Sequence, residues 1–415
     1  MTTALRRQLT PTDAVVVGIG SMVGAGVFAV WAPAANAAGR WLLLSLFIAG
    51  GVALCNATSS AQLAARHPES GGTYVYARER LSPFWGHVAG WGFIVGKTAS
   101  CAAMGLTAGL YIWPSQARLV ATAAVVLIAA INLGGLSRTA FVTRVILGAT
   151  GLTLIIVVAS AWVQTTPRPV EQLSAIDTNA YGVLQAAGLI FFAFAGYARI
   201  ATFGEEVINP ERTIPWAITR ALGAVLLIYL TVAVVARSSL TPEDISATSA
   251  PLSTIVGFSS LSRLAPAISV GAGIACFGVL LNLIPGVART ILALGRRADL
   301  PAWFAQVSAQ RSLPLRAELS VVAVVVALIN TVSLTSALSL SGVAVLTYYA
   351  ITNASALRLQ PAERLWPQWL ARLGLVGCIV LALALPWQAM VSGVIVIIAG
   401  VIARSFAVRS QQVSE

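Results

Sequence analysis

Two apolar segments of the chain are each interrupted mid-span by a glycine-rich stretch, and they occupy corresponding places in its two halves. The first interruption is Gly20-Ser21-Met22-Val23-Gly24-Ala25-Gly26, inside a hydrophobic run from about residue 12 to residue 38. The second is Phe192-Ala193-Phe194-Ala195-Gly196-Tyr197, inside a run from about 181 to 204. Lipid offers no hydrogen-bond partner to a broken backbone, so such a break survives only where protein buries it or where it lines a wet cavity. A matched pair of broken membrane helices is the sequence mark of a secondary transporter that binds its solute near the bilayer midplane.

Composition leaves little else. Of 415 residues 58% are hydrophobic and only 10% charged, against about 25% charged in a soluble domain. The net charge of +12 would suggest a nucleic-acid partner in a soluble protein. Here the basic residues fall mostly in short loops between apolar runs, where they report topology. The run after Arg6 and Arg7 is longer than a signal-peptide core, and no cleaved leader is expected. The four cysteines, Cys55, Cys101, Cys276 and Cys378, stand singly in apolar segments without metal-ligand spacing, and they read as small packing residues. No cofactor, metal or nucleic acid is expected.

With roughly 20 apolar residues needed per crossing, the sequence divides into twelve spans: 12–38, 41–64, 84–112, 118–134, 142–163, 181–204, 215–236, 266–289, 318–335, 338–357, 370–385 and 387–406. Asn330, Thr331, Ser333, Thr335 and Ser336 mark a hairpin turn inside the long apolar run 318–357, and Pro386 divides the last pair. Placing the N-terminus inside puts seventeen arginines, among them Arg6, Arg7, Arg66, Arg78, Arg80, Arg296 and Arg404, on the cytoplasmic side. Only Arg40, Arg118, Arg168, Arg237 and Arg263 then face outward. That asymmetry predicts a multi-pass protein of the cell membrane with both termini in the cytoplasm. Spans one to five and six to ten each open on a broken helix. Five being odd, the second set enters from the opposite face, which is an inverted repeat. The expected organisation is a single transmembrane transport domain over 1–415, with a first repeat at 1–164, a second at 180–358, and two additional helices in 359–415.

The residues around these breaks resemble a known family. GSMVGAGVF at 20–28 is similar to the first-helix signature of the amino acid–polyamine–organocation superfamily. FFAFAGYARIATFGEEVINPERTIPWAI at 191–218 resembles its sixth-helix signature, HPESGGTYVYARE at 67–79 its loop after the second span, and LGRRADLPAWF at 294–304 its loop after the eighth. The resemblance implies an all-α integral membrane protein with a LeuT-like 5+5 inverted repeat, transporting amino acids or related amines by alternating access. It also implies that the backbone amides of Met22, Val23, Gly24, Ala25 and Gly26 receive a substrate carboxylate, and that carbonyls of Phe194, Ala195 and Tyr197 receive its ammonium. Physics agrees: half-helix N-terminal ends favour anions and C-terminal ends cations, and glycines allow close approach. Glycines that merely allow tight helix packing are the plainer alternative.

Lys97 is the only lysine and sits near the middle of the third span, where a cation costs on the order of 3 kcal/mol on insertion scales. It is therefore expected either to meet the substrate carboxylate or to exchange protons as a buried amine. Relatives that do not use sodium commonly carry a lysine in the fifth span in place of the ion. The fifth span here has none, and Lys97 is expected to take over that charge. The eighth-span stretch 275–287 offers Asn282 but no Ser or Thr ligand, so coupling to protons or plain exchange is expected rather than coupling to sodium. Arg199 either faces the cavity or pairs with Glu205 or Glu206, the two glutamates being expected at an inner gate. Fixed cations at Lys97 and Arg199 argue against cationic substrates by like-charge repulsion.

Asp13 is expected to cap the first helix, and His67 and His87 to be interfacial. Trp31, Trp41, Trp85, Trp113 and Trp162 read as interface anchors. Tyr348 and Tyr349 of the tenth span are candidates for the cavity wall. An amino-acid or amine exporter, or a polyamine antiporter of the same fold, is the second reading. An intramembrane enzyme would need a converging polar catalytic set, which no span supplies. A channel would show a polar stripe along a helix, whereas the polar features here gather at one depth.

Overall fold

In the computed structural model, residues 9–24, 26–67, 71–133, 140–163, 178–201, 207–308 and 313–412 are described. Eighteen α-helices order this part of the chain. They are α1 (Pro11–Met22), α2 (Gly26–Ala29), α3 (Trp31–Ala38), α4 (Leu42–Arg66), α5 (Thr73–Arg80), α6 (Pro83–Ile112), α7 (Ala117–Leu133), α8 (Ala140–Ser160) and α9 (Ala180–Phe194). There follow α10 (Ala198–Ala201), α11 (Pro210–Ser239), α12 (Pro242–Ala247), α13 (Pro251–Gly257), α14 (Ala265–Arg296), α15 (Leu315–Thr331), α16 (Leu334–Ala356), α17 (Gln368–Ala384) and α18 (Trp387–Gln412). Among the described residues β-pairing is limited to one isolated parallel bridge between Leu9 and Val207. It joins the segment before α1 to the segment after α10.

Among the described residues, ten stretches are long and apolar enough to cross a bilayer. They correspond to all the expected spans except the ninth and eleventh, which are the 17-residue helices α15 and α17. Seventeen residues lie at the lower limit for a crossing. The helix starts follow local chemistry. Thr10 caps α1 in a reciprocal capping box with Asp13, Pro11 filling the first helical position. Ser333 caps α16 by accepting from the Ser336 amide at 3.1 Å, which places the expected hairpin turn between α15 and α16.

The long helix α6 runs through the middle of the bundle, buried along most of its length, and packs most broadly on α16 and α14. The outer helices turn their apolar side chains outward: Leu119, Leu127, Ile155, Leu227 and Leu383 are each more than 60% exposed. Water does not tolerate an apolar belt on this scale, but lipid does. The chain is a multi-pass membrane protein.

Two expected interfacial residues are instead interior. Trp31 is fully buried, edge-on to Tyr229 with ring centroids 6.5 Å apart. It follows the first break directly and so lies inside a span, not at its end. His87 is also fully buried, its Nε2 hydrogen-bonded to the Gly400 carbonyl at 2.9 Å. Helix α18 covers it from more than 300 residues away. Trp41, Trp85, Trp113 and Trp162 are exposed as expected of anchors.

Candidate functional site: two abutting helix breaks around a cavity

The first break opens where α1 ends. Val23 leaves the helical region (φ −79°, ψ 56°) while its amide still bonds Ile19 at 2.7 Å, and the chain resumes helix at Gly26. The second break is the turn Ala195–Tyr197 between α9 and α10. The breaks touch each other, and glycine is why they can. A β-carbon at Gly196 would overlap the Ser21 carbonyl and come within 2.8 Å of the Met22 nitrogen. A β-carbon at Gly26 would come within 2.8 Å of Ala193 Cα.

Tyr229 of α11 joins them further. Its buried hydroxyl lies 2.7 Å from the Met22 carbonyl and 2.9 Å from the Ala193 carbonyl, sharing one proton between the last turns of α1 and α9. Those carbonyls have lost their helical partners, and a buried carbonyl left unsatisfied costs about 1–3 kcal/mol. Sequence reading missed this residue. Its signal was a single hydroxyl-bearing ring in the apolar interior of α11.

Beside the paired breaks lies a cavity of about 220 Å³, several times the roughly 30 Å³ a water occupies in the liquid. It suits one small solute. Met22, Val23, Gly24 and Gly26 of the first break line it, as do Ala195, Gly196, Lys97, Arg199 and Asn282. No carboxylate is among the described lining residues. Lys97 Nζ donates to the Ala195 carbonyl at 3.2 Å, and its ammonium lies 6.0 Å from the Phe93 ring centroid. Tyr349 Oη donates to the same carbonyl at 3.2 Å. Phe194 and Tyr197 do not reach the wall. Their carbonyls accept from the Tyr197 and Ile200 amides, and the Tyr197 ring stacks on Tyr349. Arg199 reaches α14, its Nη1 3.3 Å from where a Gly286 β-carbon would stand. Asn282 donates to Gly278 at 3.0 Å within α14. Ala25, Glu205 and Glu206 lie outside the described residues.

Polar locks tie loops together at one end of the bundle. Asp299, with its side chain 3% exposed, accepts from Tyr74 Oη and Arg78 Nη1 at 2.7 Å and from Arg404 Nε at 2.8 Å. Burial, then the bond to Asp299, pushes the Tyr74 phenol well above its ordinary value. A second lock pairs Arg80 with both Glu363 oxygens at 2.9 and 2.7 Å, and Arg66 donates to the Glu363 carbonyl at 3.1 Å. The Arg80 hydrogen bonds hold the Glu363 carboxyl down at about 2. A depressed carboxyl stabilises the fold above its ordinary titration range, and that contribution disappears as pH falls through the folded value. The difference in melting temperature between wild type and Glu363→Gln should thus be constant at neutral pH and shrink below about pH 4. A difference that grows with acidification would contradict the pairing.

Membrane-length helices, two of them interrupted and abutting beside a cavity, define a membrane transporter. The chain belongs to the amino acid permease family of the amino acid–polyamine–organocation superfamily, whose family model matches residues 9–409. It is 51% identical over 399 residues to an uncharacterized transporter of Mycobacterium tuberculosis, covering 96% of this chain and 91% of that protein. It is 28% identical to a chloroplastic cationic amino acid transporter of Arabidopsis thaliana, covering 94% of this chain and 72% of that one. A branched-chain amino acid permease of Bacillus subtilis is 24% identical, over 75% of this chain and 72% of that protein.

Proposed function

We propose that the protein is a secondary permease of the cell membrane that moves amino acids by alternating access. The observation that carries this is the contact between the two helix breaks beside a solute-sized cavity. All twelve helical segments cross the membrane in this reading, α15 and α17 included, with both termini cytoplasmic and the two five-span sets inverted. The amides beyond Val23, at Gly24 and at Gly26 where α2 begins, take the carboxylate, since half-helix N-terminal ends favour anions, whereas the Val23 amide is already bonded to Ile19. Coupling is to protons or to a counter-solute. The absence of hydroxyl ligands on α14 between Ala275 and Val287 supports a sodium-free cycle. Relatives named for cationic and for branched-chain amino acids leave side-chain preference to the cavity, where Lys97 and Arg199 disfavour a cationic side chain.

Purified protein in proteoliposomes provides the test. Labelled amino acids are screened for uptake and counterflow, with and without a proton gradient. Saturable counterflow of a neutral or acidic amino acid is the expected result. Exchange confined to cationic amines would keep the fold and reverse the substrate class.

A further inference from the structure

The carbonyl best placed to bind a substrate ammonium is already occupied by one. Ala195 ends α9, and carbonyls released at such a C-terminal half-helix end are the cation-binding groups of a broken helix. A carbonyl has two lone pairs. At Ala195 they receive Lys97 Nζ and Tyr349 Oη, both at 3.2 Å. Met22 and Ala193, the neighbouring break carbonyls, both accept from Tyr229, and Phe194 and Tyr197 accept from backbone amides of the turn. Of these acceptors, Ala195 is thus the one with both lone pairs taken by side-chain donors.

We infer that Lys97 is a tethered ammonium that stands in for the substrate's α-amino group, so that the site selects carboxylates whether or not they carry an amine. Resting on the permease reading above, this makes Lys97 a specificity-determining residue. An ammonium has three donors. One is engaged by Ala195, and Lys97 lines the same cavity as Met22, Val23 and Gly24. A carboxylate in that cavity has the backbone of Gly24 and Gly26 and a positive charge on its walls. An amine on the same solute finds both lone pairs of the Ala195 carbonyl taken, and no described carboxylate lines the cavity to receive it. Lys97 is anchored for this task. It stands on α6, a long helix buried along most of its length, one turn after Phe93, whose ring lies near the ammonium.

The experiment is competition against counterflow of whichever amino acid the proteoliposome screen identifies, using solutes that differ only in the α-amino group: L-glutamate against glutarate, and L-serine against 3-hydroxypropionate. In wild type the two members of a pair should compete within about tenfold of each other, one charge-assisted contact being worth about that factor. Lys97→Gln keeps a donor for Ala195 but removes the charge. Its des-amino competitors should weaken by tenfold or more relative to their amine-bearing partners, again on the order of one charge-assisted contact. Amino acids that drive counterflow while des-amino partners fail at hundredfold excess would overturn the inference and leave the permease standing. That comparison needs only the wild-type protein, so it holds even if the variant does not fold. An unchanged ratio in a folded Lys97→Gln would equally overturn it. If no α-amino acid supports counterflow, the permease reading fails, and this inference with it.

Discussion

Gly196→Ala is expected to abolish counterflow while leaving the protein in the membrane. The added methyl would meet backbone, namely the Ser21 carbonyl and the Met22 nitrogen, and backbone cannot turn aside as a side chain can. Overpacking that side chains relieve costs about 1–3 kcal/mol. Here relief requires the two breaks to part, which also pulls Met22 and Ala193 away from Tyr229. An upset of about 3 kcal/mol in the transport-competent arrangement is a loss of roughly hundredfold. Gly26→Ala should behave alike, since it meets Ala193 Cα. Gly24→Ala should be milder, because its obstacle is the side chain of Val279. Gly223→Ala on α11, with nothing within 4 Å of the new β-carbon, should transport normally. The measurement is initial counterflow rate normalised to monodisperse protein. Near-normal transport by Gly196→Ala would mean that contact between the breaks is incidental to the cycle.

The breaks were legible in the sequence because glycine clusters inside apolar runs have few other uses at membrane depth, and the apolar runs themselves located the helices. Packing between distant segments was not legible. Tyr229 serves Met22 across 207 residues, and one apolar span with a tyrosine in it looks much like another. His87 and Trp31 were misplaced for the same reason: α18 covers the one, and α9, α12 and the Tyr229 ring surround the other, none of which a local reading can bring beside them. The span count turns on something different. Segments near 17 residues sit at the limit where length alone decides a crossing, and α15 and α17 both fall there. Lys97 was conspicuous as the sole lysine, yet its seat on Ala195 depends on how α6 lies against the end of α9.

Asp299→Asn should be the most damaging change outside the cavity. Asp299 follows Ala298, a non-glycine residue held at φ 60° where α14 ends. That conformation costs roughly 1–2 kcal/mol, and what surrounds it is the carboxylate's contacts with Tyr74, Arg78 and Arg404. Three separate elements, α5, the end of α14 and α18, thus meet on one buried anion. Removing one member of a buried pair typically costs 3–5 kcal/mol. Both arginines keep about a quarter of their side chains exposed and can partly resolvate, so a loss of about 2–3 kcal/mol is expected. It should be read as a lower unfolding midpoint in detergent. Arg78→Gln and Arg404→Gln should each cost less, because the other arginine still neutralises Asp299. Once Asp299 is asparagine, adding Arg78→Gln should cost little more, since the partner is already gone. Strictly additive losses would show that the three elements are held at this end by something other than the shared carboxylate.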